Sequence, residues 1–385
     1  MKILFITYME TKDPGGINKT VYELAKNFAA MGHEITVLQP NPKNLPEEEI
    51  YEGFKIVRIS SKLSKYIYDF NPKINQYLKT NLEYLDFDII HVHGYHTLQS
   101  AGVINTLRSL NISTPLLFSP YYDVSHGTLA GKYLMKIYNI FGKKALKKSD
   151  FIISSSKFEA SQLVKALDVD KQKIKVISLG VDVGYPNGST PLNDVVKISR
   201  SQKIGQNKIK LLYTGYLINR KGVDFILRGL DVLVHELNIN DVVLTVVGDG
   251  PEKNNLLNLS KELKLDDHIV WQHFLPREEL IKKIEDSDMY LLLSRSEAYG
   301  ITVAEALSLG TPAIVTENTA LKEFSKEPGC FVVSYPPEPK RVAEKIIYIY
   351  ENDVKVGTFT DKIRGWKTVL EEYEQFYNDL MNNNP

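Results

Sequence analysis

The sequence predicts an α/β protein of two doubly wound domains, each with a mostly parallel sheet covered by helices on both faces. Three observations indicate this fold class. The chain has 385 residues, more than one hydrophobic core usually supports. Short apolar runs alternate with stretches of helical period, which is typical of parallel sheets. The second half also repeats the opening, since "KIKLLYTG" is similar to "KILFIT", and two such domains would leave a cleft between them.

The first domain is predicted over residues 1–185. Its opening "KILFIT" is a continuous apolar run of the kind found in strands buried on both faces. After the Gly15-Gly16 turn, apolar residues at helical spacing predict a helix that ends near Gly32, before the strand "EITVL". Further strands are predicted, in order, at "KIVRIS", "DIIHVH", "PLLFS", "FIISSS" and "IKVISL".

The second domain is predicted over residues 208–360, after a linker at 186–207 that is rich in Gly, Pro, Ser and Asn. It opens with the strand in "KIKLLYTG". Further strands are predicted at "VVLTVVG", "IVWQHF", "MYLLLS", "PAIVTE" and "CFVVS". Residues 361–385 carry apolar and aromatic side chains at helical spacing, which predicts a C-terminal helix that crosses back to the first domain.

Composition and charge exclude several classes of protein. Lys plus Arg and Asp plus Glu both number 47, so the net charge gives no reason to expect a nucleic-acid partner. Cys330 is the only cysteine, which excludes an intramolecular disulfide and fits a reducing compartment. No apolar stretch approaches the roughly 20 residues that span a bilayer, and the run after Met1 is shorter than a signal-peptide core. A cytoplasmic location is therefore expected.

One loop concentrates residues that suggest chemistry. The strand "MYLLLS" runs into "RSEAYGI", and the helix "TVAEALSL" follows and ends at Gly310 and Pro312. Open α/β sheets bind ligands at the carboxyl ends of their strands, where this loop lies. The amides of the first helical turn, near Ile301, can hold a phosphate without any side chain. A negatively charged nucleotide is therefore the expected ligand.

Two carboxylates, Glu297 and Glu305, stand eight positions apart in this segment. Carboxylates repel a bound diphosphate unless they face neutral groups, so both are predicted to bind sugar hydroxyls. Glu305 in the helix would reach a ribose diol, and Glu297 in the loop would meet a hexose. The alternative is a capping box in which Glu305 bonds back to Thr302, and the spacing alone favours neither interpretation.

The segment "TGYLINRKGVD" places Lys221 before a helix predicted to begin near Gly222. A lysine there would offset diphosphate charge and stabilise a leaving pyrophosphate, a task that otherwise often falls to a metal ion. Taken alone, a solvated Arg-Lys pair on a turn is the stronger interpretation. The Gly15-Gly16 backbone can also approach a phosphate closely, although a lone dipeptide is weak evidence.

Together these segments resemble the retaining glycosyltransferases of family 4, which have the two-domain GT-B fold. The resemblance lies in "PGGINKTVYELAKNFAAMGHEITVL", "DIIHVHG", "TGYLINRKGVDFIL", "VVGDGPE" and "SEAYGITVAEALSLGTPAIVT", the last with the family's Glu-x7-Glu signature. It implies transfer of a hexose, with retained anomeric configuration, from a UDP- or GDP-linked donor to a glycan, lipid-linked or small-molecule acceptor. Such a reaction serves surface polysaccharide, glycolipid or glycoprotein synthesis. No cofactor and no divalent metal are implied.

The resemblance also implies roles for individual residues. Glu297 would contact the donor hexose, Glu305 the ribose and Lys221 the diphosphate, with Glu297 and Lys221 acting in catalysis. The nucleotide base would lie near Gly248 and Phe274. Backbone contacts to the sugar and phosphates are implied for Gly16, Tyr299, Gly300, Ile301 and Thr302.

Among the residues implied to bind the donor, one position differs from the family's usual sequence. Where the family usually has an arginine after the glycine of its Gly-Arg…Lys-Gly motif, this chain has Tyr216. One of two diphosphate cations is therefore missing from its usual place. Arg220 would compensate for it, or the donor side is weakened. Tyr216 and Arg220 are both predicted to line the donor site.

The sequence also differs from the family's usual pattern at a position implied to lie near the acceptor. The family often has a histidine near the sugar where this chain has Tyr121, within "SPYYDVSHG". Asp123 or His126 would serve in its place as a catalytic group. His93 and Tyr121 are predicted to contact the acceptor. The histidines of "HVHGYH" superficially suggest a metal cluster, but histidines near a strand end more often bond to backbone or line a cleft, so no metal site is expected.

Retention requires either a double displacement or a substitution in which leaving phosphate and attacking hydroxyl share one face. No carboxylate of the motif is an obvious nucleophile, so the same-face route is predicted, with the protein stabilising the separating charge. Two alternative functions have other requirements. A nucleotide-sugar epimerase would consume donor without an acceptor, and a non-catalytic nucleotide-sugar-binding protein would only bind it. A nicotinamide dehydrogenase is disfavoured because "TYMETKDPGG" is not Gly-x-Gly-x-x-Gly.

The segment 132–148 is strongly basic and has apolar residues at helical spacing. It could rest on an anionic membrane surface, which would place the protein peripherally on the inner face of the cell membrane. The alternative, an ordinary helix buried on one side and solvated on the other, is the stronger interpretation of the sequence alone.

Overall fold

The computed structural model describes residues 1–13, 15–60, 71–81, 86–123, 129–182, 208–352, 354, 356 and 362–382, with the backbone alone for 129–134. The chain divides into two compact units. The first comprises Met1–Leu179 together with Trp366–Pro385, and the second comprises Gly180–Gly365. The predicted linker at 186–207 lies outside the described residues.

Strands and helices alternate along most of the chain. The strands are β1 Lys2–Ile6, β2 Glu34–Asn41, β3 Glu48–Tyr51, β4 Phe54–Ser60, β5 Ile89–His93, β6 Leu116–Ser119, β7 Phe151–Ser154, β8 Ile174–Val176, β9 Gly180–Val181, β10 Ile209–Thr214, β11 Val242–Val247, β12 Ile269–Gln272, β13 Met289–Leu292, β14 Ala313–Thr316, β15 Cys330–Val333 and β16 Arg364–Gly365. The helices are α1 Gly16–Ala30, α2 Pro72–Asn81, α3 Leu98–Ser109, α4 Leu129–Lys148, α5 Lys157–Leu167, α6 Val223–Asp231, α7 Lys253–Glu262, α8 Arg277–Glu285, α9 Ile301–Ser308, α10 Pro339–Glu351 and α11 Trp366–Asn382.

The first unit is a sheet between two layers of helices. Its strands follow the order β3-β4-β2-β1-β5-β6-β7-β8, and only the β3–β4 pair is antiparallel among the described strands. One face packs against α1 and α11, with Phe28 and Tyr377 stacked at 5.7 Å between ring centroids. The other face packs against α2, α3 and α4 through a second apolar cluster. The C-terminal helix is thus part of the first unit.

The second unit has a parallel sheet with the order β12-β11-β10-β13-β14-β15. β10 lies beside both β11 and β13, so the loops after these three strands leave the same edge of the sheet side by side. The short strands β9 and β16 pair with each other. Two doubly wound α/β units and a returning C-terminal helix confirm the predicted fold class. No helix in the described parts of the chain has the length and apolar character needed to cross a bilayer.

Candidate active site

The loop after β13 leads directly into helix α9 at the carboxyl edge of the second sheet. Gly300 is the N-cap of α9 with φ 99°, and a Cβ at this position would lie 2.3 Å from the Leu321 side chain. Ile301 and Thr302 begin the helix, so their amides have no intrahelical acceptor and can bind an anion. The capping-box alternative is wrong, because Thr302 lies inside the helix and Gly300 holds the cap position.

Glu297 is buried in this loop among cationic and polar groups. Its Oε1 is 2.6 Å from Lys221 Nζ and accepts a hydrogen bond from Ser294 Oγ at 2.9 Å, and its Oε2 is 3.9 Å from Arg220 Nη1. Burial alone would raise the pKa of Glu297, but the charges of Lys221 and Arg220 and these hydrogen bonds hold it below the ordinary value. Glu297 is therefore an ionised hydrogen-bond acceptor at neutral pH.

The two cations come from the turn between β10 and α6. Asn219–Lys221 form a turn of 3₁₀ helix, and Gly222 follows with φ 67°. A Cβ on Gly222 would lie 2.0 Å from the Leu293 carbonyl oxygen, so only glycine lets this turn approach β13 so closely. The approach brings Lys221 to Glu297. Two cations then face one carboxylate, which leaves the group with one positive charge in excess.

Glu305 is also buried and also paired. Its Oε1 lies 2.9 Å from Arg277 Nη1, at the start of α8. Arg277 was not predicted from the sequence. Its only local signal is an arginine at the first position of a helix that follows a strand end, in "FLPREEL". Each signature glutamate is therefore held by a cation from another loop of the same sheet edge.

Tyr216 and Phe274 face each other at the same edge. Their rings are nearly parallel, with 9° between the planes and 6.5 Å between the centroids, and both side chains are about half exposed. Gly248, after β11, lies between their loops, and a Cβ there would be 1.9 Å from the Gly215 carbonyl oxygen. The position at which the family has an arginine thus carries an aromatic ring beside Phe274.

Tyr299 is buried behind the loop. Its hydroxyl donates to the Lys362 carbonyl oxygen at 3.1 Å, and its ring packs edge-on against Phe324. Its side chain therefore fixes the loop, and a contact to a ligand would come from its backbone. The structure gathers the predicted donor-binding residues of the second unit at one sheet edge.

In the first unit, the predicted acceptor residues lie together at the end of β5 and β6. His93 Nδ1 is 3.0 Å from the Tyr121 hydroxyl, and burial lowers the pKa of His93 to about 3. His91 bonds to the Tyr377 hydroxyl and to Ser119 Oγ, each at 2.8 Å. His91 and His93 are thus neutral and hydrogen-bonded to other side chains, which fits a structural role for the histidines of "HVHGYH". The described residues contain no group of three side chains suited to a metal ion.

Gly16, Asp123 and His126 are the other residues of the first unit that were predicted to belong to the site. Gly16 is the first residue of α1, at the carboxyl end of β1, in agreement with the helix predicted after the Gly15-Gly16 turn. Asp123 is mostly buried, with Oδ2 4.0 Å from His96 Nε2. Tyr121 has φ 49°, an uncommon backbone conformation for a bulky residue. His126 lies outside the described residues.

Comparison with known proteins agrees with this arrangement. The profile of "Glycosyltransferase Family 4" matches residues 14–185, and that of "Glycosyl transferases group 1" matches residues 194–364. The mannosylfructose-phosphate synthase of Agrobacterium fabrum is 23% identical over 333 residues, which cover 79% of this chain and 71% of that protein.

Solved structures with the same fold are similar along the whole chain. The sucrose-phosphate synthase of Thermosynechococcus elongatus superposes with a TM-score of 0.80 at 18% identity and covers 99% of each chain. The Anabaena protein HepE in complex with UDP-glucose has a TM-score of 0.71 at 15% identity, covering 98% of this chain and 100% of that one. The two profiles together match residues 14–185 and 194–364, so the chain belongs to glycosyltransferase family 4 and is a glycosyltransferase, and the solved structures show that it has the GT-B fold.

Proposed function

We propose that the enzyme transfers a hexosyl group from a UDP- or GDP-linked donor, with retention of anomeric configuration, to a glycan, lipid-linked or small-molecule acceptor. The observation that carries the proposal is the pair of buried carboxylates at one sheet edge, Glu297 with Lys221 and Glu305 with Arg277. Paired with cations, the two carboxylates are fixed as acceptors for sugar hydroxyls, and the charge of Lys221 offsets the repulsion between Glu297 and a diphosphate. HepE, which has the same fold, binds UDP-glucose.

We assign the diphosphate to the positively charged part of the site, which contains Lys221, Arg220 and the first amides of α9. Lys221 and Arg220 together outweigh the charge of Glu297, and the amides of Ile301 and Thr302 begin α9 beside them. These groups can stabilise the negative charge that develops on the leaving nucleotide, which is the task of a metal ion in other transferases. We therefore expect the enzyme to be active without a divalent metal.

The nucleotide base is assigned to the surface between Tyr216 and Phe274. The two rings are nearly parallel with 6.5 Å between their centroids, so they form an aromatic surface on which a planar base can stack. Both rings are half exposed, although large aromatic side chains gain free energy by burial. A bound base would cover them.

The reaction is assigned to the same-face route. The bond between the anomeric carbon and the β-phosphate oxygen breaks, the acceptor oxygen bonds to the anomeric carbon on the same face, and a β-phosphate oxygen takes the acceptor proton. The products are the glycoside and the nucleoside diphosphate. Glu297 is a poor nucleophile in this geometry, because Lys221 and Ser294 engage its Oε1 and the charge of Arg220 lies 3.9 Å from its Oε2.

Nucleotide binding is the first test. UDP or GDP at about 100 times its Kd should stabilise the folded protein by about 2.7 kcal/mol, which corresponds to roughly 5–10 °C in melting temperature for a domain of this size. The measurement is thermal unfolding against UDP, GDP and ADP, each with and without EDTA. The shift should persist in EDTA. No shift with any nucleotide, or a shift that EDTA abolishes, would contradict the proposal.

The acceptor is assigned to a membrane surface. On α4, Ile137, Ile140 and Phe141 are exposed by 59%, 58% and 46%, and the exposed lysines 136, 144, 147 and 148 lie on the same helix. Apolar side chains among lysines suit the interface of a bilayer that contains anionic lipids. A lipid-linked acceptor would be bound at such a surface.

Vesicle flotation tests this assignment. The protein should bind vesicles that contain phosphatidylglycerol and bind pure phosphatidylcholine weakly. Replacement of Ile140 and Phe141 by serine should weaken binding at least about tenfold, because each buried apolar side chain contributes about 1.5–3 kcal/mol. Tyr348, exposed by 51% on α10, provides the control Tyr348→Ser. Equal binding by the double variant and the wild type would refute the membrane assignment.

A further inference from the structure

Arg277 occupies an unfavourable position for a cation. It is the first residue of α8, where the helix dipole is positive and acidic residues are preferred. The next two residues, Glu278 and Glu279, follow that preference. Arg277 therefore gains little from the helix itself, and its tertiary contacts explain its place better.

Two carboxylates from distant parts of the second unit hold the guanidinium. Nη1 lies 2.9 Å from Glu305 Oε1, and Nη2 donates to Asp182 Oδ2 at 3.1 Å. Nε is buried and has no hydrogen-bond partner among the residues that the structure describes. A planar guanidinium held at both terminal nitrogens has little freedom to rotate, unlike a lysine ammonium.

Asp182, the second carboxylate that holds Arg277, is itself fixed by the backbone around it. Asp182 directly follows β9, which pairs in register with β16. An ion pair with Asp182 therefore resists the movement of Arg277 towards the base or the diphosphate. Glu305, in contrast, has three rotatable side-chain bonds and would need an anchor to present its carboxylate in one orientation.

We propose that Arg277 is a positioning residue for the ribose: tied to Asp182, it holds the Glu305 carboxylate where it accepts hydrogen bonds from the ribose hydroxyls. This inference rests on the proposed nucleotide-sugar donor and adds a residue outside the Glu-x7-Glu motif. Recognition of hydroxyls depends on the placement of the acceptor oxygens, so loss of Arg277 should act through the hydroxyls alone.

The test compares nucleotides with and without those hydroxyls. Binding of UDP, GDP and their 2′,3′-dideoxy counterparts is measured by calorimetry for the wild type and for Arg277→Ala. The variant should bind the better ribonucleotide about tenfold more weakly, since a hydrogen bond to a charged group contributes about that factor. Its affinity for the dideoxynucleotide should stay within about twofold of the wild type.

Further variants separate positioning from folding. Asp182→Asn should give a smaller loss that also disappears with the dideoxynucleotide, and Arg277→Lys should restore part of the affinity. Arg341→Ala, at an exposed arginine paired with Glu344 on α10, should change nothing.

The outcomes are distinguishable. Three outcomes would overturn the positioning role and leave the proposed donor intact. Arg277→Ala could lose equal affinity for both kinds of nucleotide, or it could bind UDP or GDP as tightly as the wild type or more tightly. The third outcome is a wild type that does not prefer the ribonucleotide. A wild type that binds neither UDP nor GDP would instead overturn the proposed function, and this inference with it.

Discussion

Replacement of Glu297 by glutamine should lower kcat by about 10²-fold or more without the accumulation of a glycosyl-enzyme. The amide keeps the size of the side chain but loses the charge that pairs with Lys221 at 2.6 Å. A hydroxyl bonded to Glu297 would then be held less firmly as charge separates. Steady-state kinetics measure the loss, and intact-protein mass spectrometry after donor turnover should show only the unmodified mass.

Two comparisons isolate this effect. Glu338→Gln, at a mostly exposed glutamate near α10, should be neutral. Lys221→Ala should also lose activity, and the double variant should lose less than the product of the two single losses, because the side chains are in direct contact. A covalent sugar on Glu297, or wild-type kcat in Glu297→Gln, would refute the same-face route with Glu297 as a hydroxyl acceptor.

The ionised state of Glu297 also determines a pH dependence. Its pKa in the folded protein is below the ordinary value of 4.5, so its pairing contributes stability at neutral pH that is lost as the pH falls through the folded-state pKa. The midpoint at which protonation of Glu297 reduces activity should therefore lie below pH 4.5, and the pH profile of kcat measures it.

The sequence predicted the fold class because buried parallel strands leave a direct signal. Their apolar runs are continuous, and every strand of the two large sheets coincides with a predicted segment except one, although β2 runs three residues and β4 one residue beyond the predicted bounds. That exception is β3, "EEIY", an antiparallel edge strand with alternating exposure and charged residues. The two-residue strands β9 and β16 are too short for any periodic signal. Edge and connecting strands depend on their neighbours more than on their own composition.

The candidate site was predictable where its residues share one local motif. Glu297 and Glu305 belong to one segment, and the structure places both at the predicted sheet edge, while their binding of hydroxyls stays a prediction from charge. Arg277 was missed because its partners are remote, with Asp182 lying 95 residues away. The orientation of His93 could not be predicted either, since its hydrogen bond joins the end of β5 to Tyr121, 28 residues away in the loop after β6. Contacts of this kind arise from topology, which local periodicity does not encode.

Gly222→Ala should destabilise the second unit strongly. The new Cβ would lie 2.0 Å from the Leu293 carbonyl oxygen, and the backbone at φ 67° is already unfavourable for alanine. We expect a loss of about 2–5 kcal/mol, the sum of about 1–2 kcal/mol for the left-handed conformation and about 1–3 kcal/mol for the overlap. Thermal unfolding measures the loss.

Gly310 offers a matched control for this variant. It has φ 82°, but a Cβ there would meet nothing within 4 Å, so Gly310→Ala carries the conformational cost without the overlap. The difference between the two melting temperatures therefore reports the close approach of the Lys221 turn to β13. Because that approach brings Lys221 to Glu297, Gly222→Ala should also weaken UDP or GDP binding at temperatures where the protein is still folded. Equal melting temperatures for the two variants would show that the turn does not approach β13 so closely, and the pairing of Lys221 with Glu297 would lose its structural basis.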